Sequence, residues 1–143
     1  VKSESNKDHD EKIRRVAEEG TQNILDSIND KCKIVMPSTH VVYEGMEKVK
    51  NDIKEDEETS PVLAYGKSKD YNEKQLQSSG KNYVILRLGS VYGYSTDTTR
   101  LDIMANFFCK TASQNGTLRL FAGGRQVKSL VPLIYVARCF KFN

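Results

Sequence analysis

Pro61-Val-Leu-Ala-Tyr-Gly-Lys-Ser-Lys69 is the stretch on which the reading of this chain turns. Tyr65 stands four residues before Lys69, a spacing that places both side chains on one face of a helix. The pattern sets that helix from about Leu63 to Ser79, with Gly80 as its stop. Upstream, the apolar run Lys33-Ile-Val-Met36 reads as a short strand that Pro37 helps to end, with Ser38 and Thr39 directly after it. A hydroxyl residue just past a buried strand can face such a helix across a cleft. Hydroxyl, phenol and ammonium together make a proton-transfer device that needs no metal, and they suggest an oxidoreductase-type site. Taken alone, Tyr-x-x-x-Lys is a weak signal, because both residues are common on helix surfaces. Ser38-Thr39 after a proline suits a turn as well as a site.

Outward from this stretch, helices and strands alternate. Residues from about Asp10 to Ile28 read as an amphipathic helix, with Ile13, Val16, Ala17, Ile24, Leu25 and Ile28 near one face. Glu44 to Pro61 is charged and poor in apolar residues, a long surface loop beside the site. Tyr83 to Leu88 is a dense run of strand formers, as expected of a strand covered on both faces. Gly89 to Thr99 reads as a loop and Leu101 to Gln114 as a helix closed by Asn115-Gly116. Leu118 to Phe121 and Leu130 to Ile134 are strand candidates. The alternation predicts a parallel sheet in an α/β fold.

Composition narrows the function classes. At 143 residues the chain is long enough for one domain with a modest core. The formal net charge is only +3 and no basic tract is interleaved with aromatics, so nucleic acid is not favoured as a partner. Three widely spaced cysteines (Cys32, Cys109 and Cys139) without a C-x-x-C pair read as reduced thiols of a cytoplasmic protein. His9 and His40 lack metal-ligand spacing, so no metal is expected. No signal peptide or membrane span is expected either.

Five segments, in order, carry a resemblance. They are Glu19-Gly-Thr-Gln-Asn-Ile-Leu25, Ile34-Val-Met-Pro-Ser-Thr-His-Val-Val-Tyr43, Pro61 to Lys69, Val84-Ile-Leu-Arg-Leu-Gly-Ser-Val-Tyr-Gly93 and Leu120-Phe-Ala-Gly-Gly-Arg-Gln-Val-Lys128. Together they resemble the extended short-chain dehydrogenase/reductase family, the NAD-dependent nucleotide-sugar epimerases and dehydratases, over roughly residues 15 to 140. The resemblance implies a partial doubly wound, Rossmann-like parallel sheet. Residues 1–98 would form the second half of a dinucleotide-binding domain, and 99–143 the start of a small substrate-binding region. The family opens on a strand and a glycine-rich turn that cradles the dinucleotide pyrophosphate. Val1 to Glu11 is polar instead, and Gly123-Gly124 does not open a helix, so the chain is expected to be a fragment without that turn.

The resemblance also assigns roles. Tyr65 is the general acid/base, which an ammonium close by assists by favouring the phenolate. Lys69 supplies that charge and holds the hydroxyls of the nicotinamide ribose, so Tyr65 and Lys69 both touch cofactor. Thr39 hydrogen-bonds the reacting sugar hydroxyl, and Ser38 assists. Ser90 stands where many members place an asparagine on substrate. Lys128 stands where an arginine often meets the diphosphate, keeping the charge but not the bidentate fork. Arg87 reads equally as a structural charge. Tyr135 replaces an aspartate and Ala17 an asparagine, departures that affect support and not chemistry. The implied activity is an NAD-dependent epimerase or reductase acting on a nucleotide sugar through transient oxidation of a hydroxyl. Dehydratases carry an acidic pair beside the threonine, where this chain has His40 and Val41. A non-catalytic scaffold that keeps the fold but cannot bind NAD alone is the alternative. NAD against NADP, the sugar, and the oligomeric state, a homodimer among the options, are not readable from these residues.

Overall fold

The computed structural model describes residues 7–97, 99–125 and 127–143; position 98, where the sequence reading draws its domain boundary, and the polar start at 1–6 lie outside the described residues. The elements form two compact units, residues 1–87 and 88–143.

The first unit holds the Tyr-x-x-x-Lys helix. Helix α1 (Lys7–Ser27) begins with Asp8 and Asp10 in its first turn, where negative charge complements the helix dipole. Its polar side is laced by Arg14 to Glu11 and Glu18 and by Arg15 to Glu19. Leu25 is buried, and Ile13, Ala17 and Ile28 are half-buried along the same stripe. Val16 and Ile24, expected on that face, are 65% and 56% exposed. The packed stripe follows the narrow 13-17-21-25-28 rows and leaves both of them outside it.

Strand β1 (Lys33–Thr39) runs through Pro37 and not up to it, so the expected stop is corrected. Proline is tolerated in strands where its missing N–H is not needed for the ladder, and Pro37 sits exposed two residues before the strand's end. A short 3₁₀ turn (His40–Tyr43) follows. The 44–61 segment has no regular structure, in line with the predicted loop, and folds back on itself through Gly45 N–H to the Ser60 carbonyl and Ser60 N–H to the Val42 carbonyl, both at 2.7 Å.

Helix α2 (Ala64–Ser78) ends at Gly80, whose φ of 69° is a left-handed stop that glycine adopts without strain. It packs on α1 and on β1, burying Leu76 and Val42. Asn72 Nδ2 donates to the Ala17 carbonyl at 2.9 Å and Gln75 Nε2 to the Glu18 carbonyl at 3.2 Å, which ties the two helices together. Strand β2 (Asn82–Leu88) lies beside β1 in a two-stranded sheet. Its residues 84–88 are half-buried and not covered on both faces as expected, because so narrow a sheet offers little to bury them.

In the second unit β3 (Ser90–Tyr92) pairs in parallel with β4 (Leu130–Pro132), Ser90 opposite Leu130. Helix α3 (Met104–Ser113) lies between them in sequence. Helix α4 (Leu133–Phe142) starts directly after Pro132 and buries Val136. Three expectations are corrected here. Gly89 to Thr99 contains a strand, Leu118 to Leu120 forms none and leads to a 3₁₀ turn (Phe121–Gly124), and residues 133–134 belong to a helix. The whole is a mixed α/β fold with short parallel sheets, Rossmann-like in kind. No helix among the described residues is long and apolar enough to cross a membrane.

Candidate active site

The α2–β1 packing brings Ser38, Thr39 and Lys69 to one end of the first unit. Ser38 and Thr39 are the last residues of β1, 4% and 7% exposed. Thr39 caps the 3₁₀ turn: its Oγ1 accepts the Val41 N–H at 3.2 Å. The turn reading and the site reading of this residue therefore share one hydroxyl, whose own proton can still be donated. Lys69 reaches the same strand end from α2, its Nζ donating to the Pro37 carbonyl at 2.9 Å. Burial pushes the Lys69 ammonium below its ordinary pKa, and the charge of Glu73 partly offsets this.

Tyr65 lies one turn earlier on α2 and is 48% exposed. It lines a groove of about 990 Å³ between the first half of α1 and the start of α2, together with Ile13, Arg14, Leu63, Ser68 and Tyr71. Gly66 beside it is buried, and a Cβ there would meet Pro61 and Val41 at 3.2 Å. The helix start therefore sits hard against the 3₁₀ turn that Thr39 caps. Ser68, also buried, turns its hydroxyl back to the Tyr65 carbonyl at 2.9 Å.

Beneath these residues is a polar network that sequence spacing does not reveal. Glu73, 1% exposed, accepts from Ser38 Oγ and from Arg87, whose Nη2 lies 2.6 Å from Oε2 and whose Nε lies 3.1 and 3.0 Å from the two carboxylate oxygens. Arg87 also donates through Nη1 to the Tyr43 hydroxyl and, at 2.9 Å, to the Glu55 carbonyl, while its guanidinium stacks 5.2 Å from the Tyr43 ring centre. The hydrogen bond to Glu73 holds Arg87 above its ordinary pKa, against its partial burial. Arg87 is thus a structural charge in this fold. The only sequence sign of the network was the pairing of an acid eight residues after Tyr65 with an arginine inside a strand.

Ser90 and Lys128 belong to the second unit. Ser90 is half-buried at the start of β3, its N–H donating to the Ser129 carbonyl at 2.8 Å, and Lys128 is exposed two residues before β4. Gly123 and Gly124 close a 3₁₀ turn and do not open a long helix. No group of three or more metal-ligating side chains occurs among the described residues.

A helix bearing Tyr-x-x-x-Lys, packed on a strand that ends in Ser-Thr, places the chain in the Rossmann-like α/β class. Residues 1–124 match the RmlD substrate binding domain, and the chain belongs to that family. Among solved structures it is similar to the UDP-glucuronic acid 4-epimerase from Bacillus cereus, in complex with UDP-glucuronic acid and NAD. That likeness has 25% identity and a TM-score of 0.70 over 85% of this chain and 39% of that one. It is similar in fold to the UDP-glucose 4-epimerase with UDP-glucose from Thermotoga maritima, at 24% identity and a TM-score of 0.73 over 87% and 42% of the two chains. A UDP-N-acetylglucosamine 4-epimerase from Methanobrevibacter ruminantium, in complex with UDP-N-acetylmuramic acid, shares the fold at 19% identity and a TM-score of 0.68 over 87% and 42%. The resemblance to the extended short-chain dehydrogenase/reductases is borne out. The chain spans about two-fifths of the length of these proteins. No curated protein sequence matches it.

Proposed function

We propose that the chain is the catalytic-helix part of an NAD-dependent enzyme that acts on a nucleotide sugar by transient oxidation of a sugar hydroxyl, as an epimerase or reductase. The observation that carries this reading is the anchoring of Lys69 on β1 next to Ser38-Thr39, one helical turn from the half-exposed Tyr65. The likeness to a UDP-glucuronic acid 4-epimerase solved with NAD supports it.

In this reading Tyr65 takes the proton of the reacting hydroxyl and returns it, and Thr39 donates its free hydroxyl proton to hold that oxygen in place. Lys69 spends one donor on Pro37 and turns the rest of its ammonium to the nicotinamide ribose and toward the phenol. Ser38 steadies the strand end, Ser90 contacts the sugar, and Lys128 meets the diphosphate as a point charge. Bound NAD supplies the acceptor for the electron pair that leaves the sugar carbon. Of the cofactor's parts, the ribose fits the residues present. No glycine-rich turn opening a helix occurs among the described residues to hold the pyrophosphate. Residues 1–98 then serve the cofactor and 99–143 begin the substrate region.

The test is turnover of UDP-glucuronic acid and UDP-glucose by the protein at its full natural length with added NAD. Tyr65→Phe should lower turnover by about 10²–10⁴-fold and leave cofactor affinity near that of the unaltered protein. Absence of turnover on any nucleotide sugar, with NAD bound, would leave the scaffold reading standing.

A further inference from the structure

Lys69 and Glu73 are one turn apart on α2 and grip consecutive residues of β1. Lys69 donates to the carbonyl of Pro37 at 2.9 Å, and Glu73 accepts the hydroxyl proton of Ser38. Thr39 is the next residue along the strand, and its hydroxyl caps the turn that follows. Glu73 also sits in the fork of Arg87, and Arg87 reaches on to Tyr43 at the far end of that turn and to the Glu55 carbonyl in the 44–61 loop. One buried acid therefore touches, directly or through a single arginine, both flanks of the Thr39 turn and the loop beside it. Every buried side-chain polar atom among the described residues has a partner, so the network holds no slack group.

We infer that Glu73 is the positioning residue of this site, fixing the Ser38-Thr39 strand end against α2 and standing as the counter-charge one helical turn from Lys69. The inference rests on the proposed reading only in naming Lys69 and Thr39 as site residues. An ammonium that must leave part of its water shell needs a nearby counter-charge to stay protonated. Glu73 stands where such a charge acts, since it lies on the same helix and its carboxylate is held against the same strand end. Of the other carboxylates on the surrounding elements, Asp70 of α2 is held by Lys74 and Thr59, Glu18 of α1 by Arg14 and Glu57 of the 44–61 loop by Lys50, while Arg87 of β2 is paired with Glu73 itself. Glu73 acts through Lys69 and Ser38 and is not itself placed against substrate.

The experiment follows the Lys69 side-chain signal by NMR across alkaline pH, assigned with Lys69→Arg, in the unaltered chain, in Glu73→Gln and in Glu73→Asp. Glu73→Gln should lower the Lys69 titration midpoint by about one pH unit and speed exchange of the Val41 amide. Glu73→Asp should restore much of the midpoint, because it keeps the charge. Should Glu73→Gln fail to fold with Arg87 unpaired, the double variant Glu73→Gln/Arg87→Met is read against Arg87→Met alone, so that only the Glu73 charge differs between the two. A Glu73 that only supports packing would lower the unfolding midpoint and leave the Lys69 titration in place, and that result overturns the inference. Absent sugar turnover would bear on the proposed reaction and not on this titration, so the two failures are distinct.

Discussion

Arg87 closes its guanidinium fork on Glu73, Nη2 to Oε2 at 2.6 Å, at a place where the Glu73 side chain is 2% and the Arg87 side chain 19% exposed. A pair so placed contributes modestly as a whole, because the desolvation of both charges offsets much of their attraction. Breaking it is another matter, since the remaining charge stays buried without a partner.

Arg87→Met should therefore destabilise the fold by about 3–5 kcal/mol. Replacing both members, Arg87→Met with Glu73→Leu, should recover most of that loss. Denaturant unfolding of the three proteins measures it. A single variant within about 0.5 kcal/mol of the unaltered chain would mean that water reaches Glu73 freely, against its burial.

Two glycines in helices give opposite expectations. Gly20 in α1 has nothing within 4 Å of the place a Cβ would take, so Gly20→Ala should stabilise by about 0.5–1 kcal/mol through helix propensity. Gly66 in α2 gains the same propensity, but its Cβ would press on Pro61 and Val41 at 3.2 Å, and overpacking costs about 1–3 kcal/mol. Gly66→Ala should come out destabilised by about 1 kcal/mol. Thermal unfolding of both variants decides it, and a stabilised Gly66→Ala would show that the 3₁₀ turn yields easily.

The Lys69 ammonium makes stability depend on alkaline pH in a definite direction. Its pKa in the fold lies below the ordinary 10.5, chiefly from burial. Below the folded value it is charged in both states, and the whole cost of that partial burial is present. Between the folded value and 10.5 the unfolded chain binds more protons, so this group's contribution rises with pH. Measured against Lys69→Met, the unaltered chain should gain relative stability as pH climbs through that window. A difference that stays flat or reverses would mean that Lys69 is solvated like an ordinary surface lysine.

The helix that carries Tyr65 and Lys69 was legible because its signals are local: an i, i+4 pair and Gly80 at its end. Helix α1 was legible for the same reason, though its packed stripe is narrower than the list of apolar residues suggested. What escaped was set by distant partners. Ser90–Tyr92 lies in a Gly/Ser/Thr-rich stretch and becomes a strand only because Leu130–Pro132 pairs with it forty positions on. Leu133-Ile-Tyr-Val136 has strand-forming residues yet starts a helix, because Pro132 sits at its N-cap and Val136 packs inward four positions along. The Ser38–Glu73–Arg87 network joins residues 35 and 14 positions apart, and no spacing rule announces such a meeting.

Thr39 offers the sharpest separation between a turn former and a site residue, because its oxygen accepts from Val41 while its proton is left to donate. Thr39→Val removes both functions at nearly constant volume. Loss of the cap should cost about 1 kcal/mol of stability. If the hydroxyl also holds the reacting sugar oxygen, a further hydrogen bond of about 1.4 kcal/mol is missing in the transition state, which is about tenfold in kcat. Thr39→Ser keeps oxygen and proton in place, so it should retain both the cap and most of the turnover. The measurements are unfolding midpoints and kcat with a nucleotide sugar, at saturating NAD, for the two variants. A Thr39→Val protein that is less stable but turns over like the unaltered one would leave Thr39 as a cap alone, and the oxygen would have to be held by Tyr65 or Ser38 instead.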